Sequence, residues 1–327
     1  MVNGNVTDVA DETAPTIQTV SSSTADGSYN AGDIIDITLT FSEAVNVSGT
    51  PQLKLETGAT DRTVNYFSGT GTNTLVFQYT VQPGDTSADL QYFDTASLTL
   101  NGGSIKDAAG NNATLTLPAT NNPASLAGGK AIVIDTTAPL FAAATGIAIA
   151  IAENSGAAQV IYNANADGDV GVTYSLANSA DGSLFTIDAA TGAVTLTANP
   201  NYETKNSYLF TVVATDAAGN SSSQDVTLAI TNVDEVAPTF ISGAAGLAVA
   251  ENSIGSVVYT AQASDADSAI TGAVTYSLKA ATGDVASFAI NAATGAVTQT
   301  AAFDFETKNT YTFTVVATDA AGLTSEK

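Results

Sequence analysis

Apolar and polar residues alternate along much of the chain. Residues 35–41 are apolar at every second position, and residues 52–56 and 74–81 repeat the pattern. Residues 97–100 and 114–117 continue it in shorter form. A period of two sends successive side chains to opposite faces of an extended backbone, so these segments predict half-buried strands. Turn formers separate them at residues 31–33, 48–51, 68–71, 83–85 and 101–103. No stretch carries a convincing helical period. About seven short strands in about 120 residues predict an antiparallel β-sandwich. Gly69 and Gly71 lack the third glycine and following helix of a phosphate loop, and are expected at a hairpin tip.

Beyond residue 140 the pattern occurs twice. Ala152-Glu-Asn-Ser155 returns as Ala250-Glu-Asn-Ser253, and Val172-Thr-Tyr-Ser-Leu176 as Val274-Thr-Tyr-Ser-Leu278. Residues 185–195 return at 288–298, Tyr202-Glu-Thr-Lys-Asn206 as Phe305-Glu-Thr-Lys-Asn309, and residues 210–219 at 313–322. An offset of about 100 residues is that of tandem β-domains and far exceeds a solenoid repeat.

A five-residue segment, Asp-x-x-Ala-Pro, punctuates the chain at Asp11 to Pro15, Asp135 to Pro139 and Asp234 to Pro238. Proline fixes φ, lacks an N–H and holds the preceding residue extended, so each copy reads as a stiff joint. The expected organisation is a linker at 1–14, a sandwich at 15–138, a second at 139–236 and a third at 237–327. After Asp319-Ala-Ala-Gly322 only five residues remain, where the middle repeat runs on through a final strand. The third sandwich is therefore expected to lack its last strand.

Charge narrows the function. The chain has 32 acidic and 8 basic residues, a formal charge of −24. Phosphate neutralisation needs clustered Lys and Arg, so nucleic acid is excluded as a partner, and anionic membrane surfaces repel the chain. Cys, His and Trp are absent, which removes disulfides, thiolate nucleophiles, zinc sites and the commonest general base. No apolar run is long enough to span a membrane. Residues 1–10 lack the basic start and apolar core of a signal peptide, so Met1 is read as lying within a longer protein or one exported without an N-terminal signal.

From residue 140 the series Ala-Glu-Asn, Asp-x-Asp, Tyr-Ser-Leu, Phe-x-Ile-(Asp/Asn)-x-x-Thr-Gly-x-Val, (Asn/Asp)-(Tyr/Phe)-Glu, Val-Ala-Thr-Asp and Pro-Thr-Phe resembles cadherin domains. The first unit, with Leu39-Thr-Phe-Ser-Glu43 and Ile105-Lys-Asp-Ala-Ala-Gly-Asn111, is similar to the Ig-like repeats of large bacterial adhesins. The resemblance implies an all-β chain of three tandem antiparallel β-sandwiches, one Ig-like and two cadherin-like, the last truncated. It also implies stalk repeats of an RTX-type adhesin, secreted by a type I system to the bacterial surface, with calcium rigidifying the joints.

The residues support calcium independently. At the second joint Glu153, Asn201 and Glu203 from the domain below, Asn232, Asp234 and Glu235 from the linker, and Asp265, Asp267 and Asp319 from the domain above are candidates to converge. Seven of these are carboxylates, which repel one another unless a cation joins them. An all-oxygen set without His or Cys selects a hard cation, and its size favours calcium over magnesium. At the first joint the candidates are Asp135, Asp167, Asp169 and Asp216. The linker Asn232-Val-Asp-Glu-Val236 departs from the cadherin pattern Asp-x-Asn-Asp-Asn, which argues against a full set of three ions per joint, and fewer are expected at the first. Asp11, Glu12, Glu43 and Asp107 form a candidate third site at the N-terminal pole. Asp188, replaced by Asn291 in the next repeat, reads as a turn residue.

Paired carboxylates also occur in glycoside hydrolases, but no Trp platform for sugars is present. A sugar or peptide site in the first unit, on its longer loops 85–94 and 119–130, is the alternative. Expected partners are calcium, neighbouring repeats, and a cell-surface or glycan ligand held elsewhere in the protein.

Overall fold

The computed structural model describes residues 11–168, 171–178, 180–267 and 273–327. It is nearly all β, with cadherin-like sandwiches in tandem after an Ig-like N-terminal sandwich. The chain divides into two compact units. One takes in the described residues up to Ile147 with Tyr162–Thr195 and Leu209–Thr227; the other takes in Ala148–Ile161, Leu196–Tyr208 and Leu228–Lys327.

In the first unit the strand Ile34–Ser48 pairs antiparallel with Ile17–Ser22 on one side and Thr72–Thr80 on the other. Its alternation becomes burial: Ile35, Ile37, Leu39 and Phe41 are inside, facing Leu75, Phe77 and Tyr79 of the neighbouring strand. The sheet continues through Arg62–Ser68 and Gln52–Glu56. A second sheet is built on Ile132–Asp135, which pairs parallel with Gly27–Tyr29 and antiparallel with Thr86–Ser87. It delivers Asp135 directly into the linker. Gly69 and Gly71 lie at the tip between Arg62–Ser68 and Thr72–Thr80, both at positive φ. A Cβ on Gly69 would stand 2.1 Å from the Thr74 carbonyl oxygen, so only glycine fits.

Two expectations fail here. Residues 114–117 form no strand: Thr114 makes a single bridge to Thr16, and Leu117 is buried by a loop. A helical turn, Leu126–Gly129, occurs where none was expected. Ser125 caps it by accepting from the Gly128 N–H, and Leu126 anchors it in the core. One buried leucine is too few to leave a periodic signal.

In both loops proposed for a ligand some polar groups are engaged internally, while Asp89, Asp94, Asn121 and Asn122 are exposed. Asp85 accepts from Arg62, from the Tyr79 hydroxyl and from the Gln82 N–H, while Ser125 and Gln91 bond within 119–130.

The middle repeat contributes to both units. In the first, Thr145–Ile147 pairs parallel with residues 225–227, and Thr173–Leu176 antiparallel with 212–215. In the second, Ile151–Ala152 pairs parallel with Ile230 and Thr231. The third repeat lies wholly in the second unit, where Val257–Thr260, Ala296–Gln299 and Phe288–Ile290 form one sheet. Thr275–Leu278, Val315–Thr318 and Thr324–Glu326 form another. The last strand, expected to be absent, is thus begun: Thr324–Glu326 pairs with Val315–Thr318. Its counterpart Ser221–Thr231 is 11 residues long, against three.

Candidate metal centre

Each acidic side chain of the second joint is set by a turn or a strand end, and all belong to the second compact unit. Asn154 sits at φ 57°, a left-handed position that asparagine tolerates, and its N–H donates to the Pro200 carbonyl. The turn swings Glu153 inward until it is 2% exposed. Its carboxylate accepts from the Tyr202 N–H at 2.8 Å and the Val233 N–H at 2.9 Å, fastening the linker to the repeat below. Asn201 Oδ1 accepts from the Thr204 N–H at 2.7 Å and holds the turn that carries Glu203. Oxygens of Glu153, Glu203 and Glu235 lie within 4.8 Å of one another.

Asp234, Asp265 and Asp319 form a second triplet within the same limit. Asp265 directly follows the strand Ala263–Ser264. Asp319 opens the Asp-Ala-Ala-Gly turn, its Oδ1 accepting from the Leu323 N–H at 2.8 Å. Asp267 joins the two groups: it accepts from Asn232 Nδ2 at 3.0 Å and from the Glu235 N–H at 3.4 Å.

Both oxygens of Asp234, Oδ2 of Asp319 and Oδ1 of Asn232 are buried without a hydrogen-bond partner. Asp234 and Asp319 are each 8% exposed. Burial pushes the Asp234 carboxyl above its ordinary value, and the charges of Asp265, Asp319 and Asp267 add to the shift. Glu235 is raised by burial and by Glu153, Asp267 and Glu203. For Glu153 burial acts upward but is outweighed by the Tyr202 and Val233 N–H groups, which hold it below the usual range.

Buried polar groups in folded proteins are almost always satisfied. Four orphaned oxygens in a nest of carboxylates fit a hard divalent cation, and the number of oxygens fits calcium better than magnesium. Asp234, Asp265 and Asp319 with Asn232, and Glu153, Glu203 and Glu235 with Asp267, are the residues that would hold such ions. The cation would supply the positive charge that this nest lacks.

The other predicted residues are placed differently. Asp135, Asp167 and Asp216 form no such triplet among the described residues, and Asp169 lies outside them. Asp135 Oδ1 accepts from the N–H and hydroxyl of Thr137; Asp167 accepts from Asn165 Nδ2 at 3.4 Å. Asp216 accepts from the N–H groups of Ala218 and Asn220 and from Asn220 Nδ2. At the N-terminal pole Asp11, Glu43 and Asp107 come within 4.8 Å of one another; Glu12 is exposed and outside the group. Burial, then Asp11 and Asp107, raises the Glu43 carboxyl. Glu251, Asp304 and Glu306, the third repeat's counterparts of Glu153, Asn201 and Glu203, form an exposed triplet.

Sequence reasoning passed over two asparagines. Asn220 Nδ2 donates both to Asp216 Oδ2 at 2.9 Å and to the Asp135 carbonyl at 3.0 Å, clasping the linker. Asn111 does the same, bridging Asp107 Oδ2 and the Asp11 carbonyl at 2.9 Å. The signal was the repeated Asp-Ala-Ala-Gly-Asn. At the third turn the position is Leu323, so Asp319 Oδ2 receives no amide.

A family model described as cadherin domain matches residues 149–233 and 247–327, together just over half the chain. One described as bacterial Ig-like domain matches residues 11–121. The chain is 33% identical over 133 residues to the Protocadherin-like wing polarity protein stan of Drosophila melanogaster, covering 39% of this chain and 4% of that protein. It is 29% identical over 196 residues to human Protocadherin Fat 4, covering 57% of this chain and 4% of the relative. It thus spans a small fraction of the relatives it matches. The crystal structure of mouse Cadherin-23 EC22-24 aligns with a TM-score of 0.49 and 17% identity over 96% of each chain.

Proposed function

The chain belongs to the cadherin-domain family, and on that premise we propose that it is a calcium-stiffened extracellular spacer of a bacterial surface adhesin. Cadherin domains typically bind calcium, and proteins built of them are adhesion proteins of cell surfaces rather than enzymes. The observation that carries the reading is the set of orphaned oxygens on Asn232, Asp234 and Asp319. A linker that buries unpaired carboxylates is under electrostatic load until a cation arrives, and binding then fixes linker and domain together. The bacterial and adhesin parts of the proposal rest on the Ig-like match at residues 11–121 and on the acidic, cysteine-free composition. Among the described residues no helix is long and apolar enough to cross a membrane.

Calorimetric titration of calcium into the chain tests this. Extracellular calcium modules bind with Kd of about 10⁻⁴ to 10⁻³ M, so uptake is expected at millimolar calcium. Asp234→Ala and Asp267→Ala should abolish or sharply weaken uptake at this joint. Asp188→Asn should leave it unchanged, because Asp188 and Asn291 accept the same two N–H donations in their repeats. Equal losses in all three, or no uptake by the parent chain, would overturn the assignment. Small-angle scattering with and without chelator reads the stiffening: the distribution of dimensions should broaden when calcium is removed.

A further inference from the structure

In the first sandwich the strand Arg62–Ser68 serves two ladders. Residues 62–65 pair with Gln52–Glu56, whereas Tyr66 and Ser68 pair with Phe77 and Val76, with an irregularity between those two pairs. The first half of the strand therefore peels away from residues 78–80. A cleft of about 510 Å³ opens between them, within the size range of small-ligand sites. Val64 and Tyr79, both buried in the core, line its floor. Thr63, Asn65 and Phe67 alternate with Val64 and Tyr66 on the outer face of one wall, and Gln78 and Thr80 stand on the outer face of the other.

Three amides in the cleft are each held by one end. Gln52 Nε2 donates to Asn65 Oδ1 at 3.0 Å, Gln78 Nε2 to Asp36 Oδ1 at 3.0 Å, and Gln82 Nε2 to the Thr80 carbonyl at 2.9 Å. Each bond orients a planar group and presents its other end. Asn65 Nδ2 and the Oε1 atoms of Gln78 and Gln82 have no hydrogen-bond partner among the described residues. Arg62 is the one ionised lining residue, and Asp85 holds its guanidinium at 2.7 Å. Phe67 adds an aromatic ring that is 62% exposed.

Oriented donors and acceptors, a neutralised charge and an exposed ring match a neutral polyol. A sugar hydroxyl both donates and accepts, so it satisfies either end of an amide, and the C–H face of a pyranose packs on an aromatic ring. An apolar ligand would strip water from the three amides and return no bonds. An anion is repelled by a chain of charge −24, and a cation finds no carboxylate in the lining.

We propose that this cleft binds a short neutral oligosaccharide, with one ring stacked on Phe67 and the hydroxyls of that ring and the next bonded to Asn65, Gln78 and Gln82. Amides already fixed at one end lose little freedom on binding. The first sandwich is then a point of attachment within the spacer, and its site draws on none of the acidic residues of the joints.

The test titrates maltotriose, cellotriose, chitotriose and lactose into the full chain, with binding read by saturation-transfer NMR and by shifts of the Asn and Gln side-chain amide resonances. Saturable binding of at least one sugar is expected, moving the amides of Asn65 and Gln78. Phe67→Ala and Asn65→Leu change exposed residues, so both should melt as the parent does. Each should weaken binding at least about fivefold. Phe93→Ala, which removes an exposed ring outside the cleft, should leave binding unchanged. No saturable binding by any sugar, binding that survives both substitutions, or an equal loss in Phe93→Ala would overturn the proposal. Tighter binding of sialyllactose than of lactose would overturn it too, assigning the cleft to Arg62 and an anion.

Discussion

Asp85 shows how one residue can hold an acidic surface to its core. It is buried and accepts from Arg62 Nε at 2.7 Å, the Tyr79 hydroxyl at 2.7 Å and the Gln82 N–H at 3.0 Å. Burial works to raise its carboxyl, but the Arg62, Tyr79 and Gln82 bonds prevail and hold it below the usual range. Burial and Asp85 push the Tyr79 hydroxyl far above its ordinary value. Asp85→Ala should destabilise the first sandwich by about 2–3 kcal/mol, below the 3–5 typical of a broken buried pair, because the half-exposed Arg62 can rehydrate. A depressed carboxyl contributes stability above its unfolded value of 3.8 and loses it as pH falls through the folded value. The parent should therefore lose melting temperature below about pH 4, and Asp85→Asn should flatten that slope. The third turn offers a second test. Leu323→Asn restores the amide that Asn111 and Asn220 supply elsewhere, so it should satisfy Asp319 Oδ2 and raise the calcium-free melting temperature. A bond worth about 1 kcal/mol should also weaken calcium about fivefold in calorimetry.

At the scale of elements, the strands were legible because burying one face makes alternation obligatory: a one-residue slip would expose the whole core row of residues 35–41. The turns were legible too, where backbone geometry demands glycine. Gly192 and Gly295 sit at φ 70° and 68° in the Thr-Gly-Ala-Val segments, and a Cβ would stand 2.5 Å from the Ala164 carbonyl oxygen or 2.4 Å from that of Ala261. Gly192→Ala should cost at least about 1–3 kcal/mol in chemical denaturation, and Gly295→Ala should do the same to its own repeat. What stayed hidden depended on partners distant in the chain. Asn111 reaches a carbonyl 100 residues away, so no local window assigns it a role. The convergence of Asp234, Asp265 and Asp319 could be argued from repeated motifs, but which of their oxygens lack partners could not, since satisfaction is settled only when all neighbours are in place. The helical turn at Leu126–Gly129 escaped because its anchor is a single side chain.

For the whole molecule the dominant quantity is its formal charge of −24. Without divalent cations the chain repels itself, most strongly where Asp234 and Glu235 are already raised by their neighbours. Monovalent salt in chelator should recover part of the melting temperature lost with calcium, levelling off as the screening length falls below about 8 Å. With calcium bound the same salt series should have little effect; differential scanning calorimetry separates the two cases. The asparagine clasps have a consequence for descent. Asn111 grips the linker that precedes the Ig-like sandwich, and Asn220 the linker that precedes the middle repeat, through the same pair of bonds. These two sandwiches thus hold their upstream Asp-x-x-Ala-Pro segments as part of their folds. Genetic recombination that cuts just ahead of that aspartate transfers a complete cassette, connector included. A shared fitting of this kind lets an immunoglobulin-type and a cadherin-type module follow one another in one reading frame without a new connector.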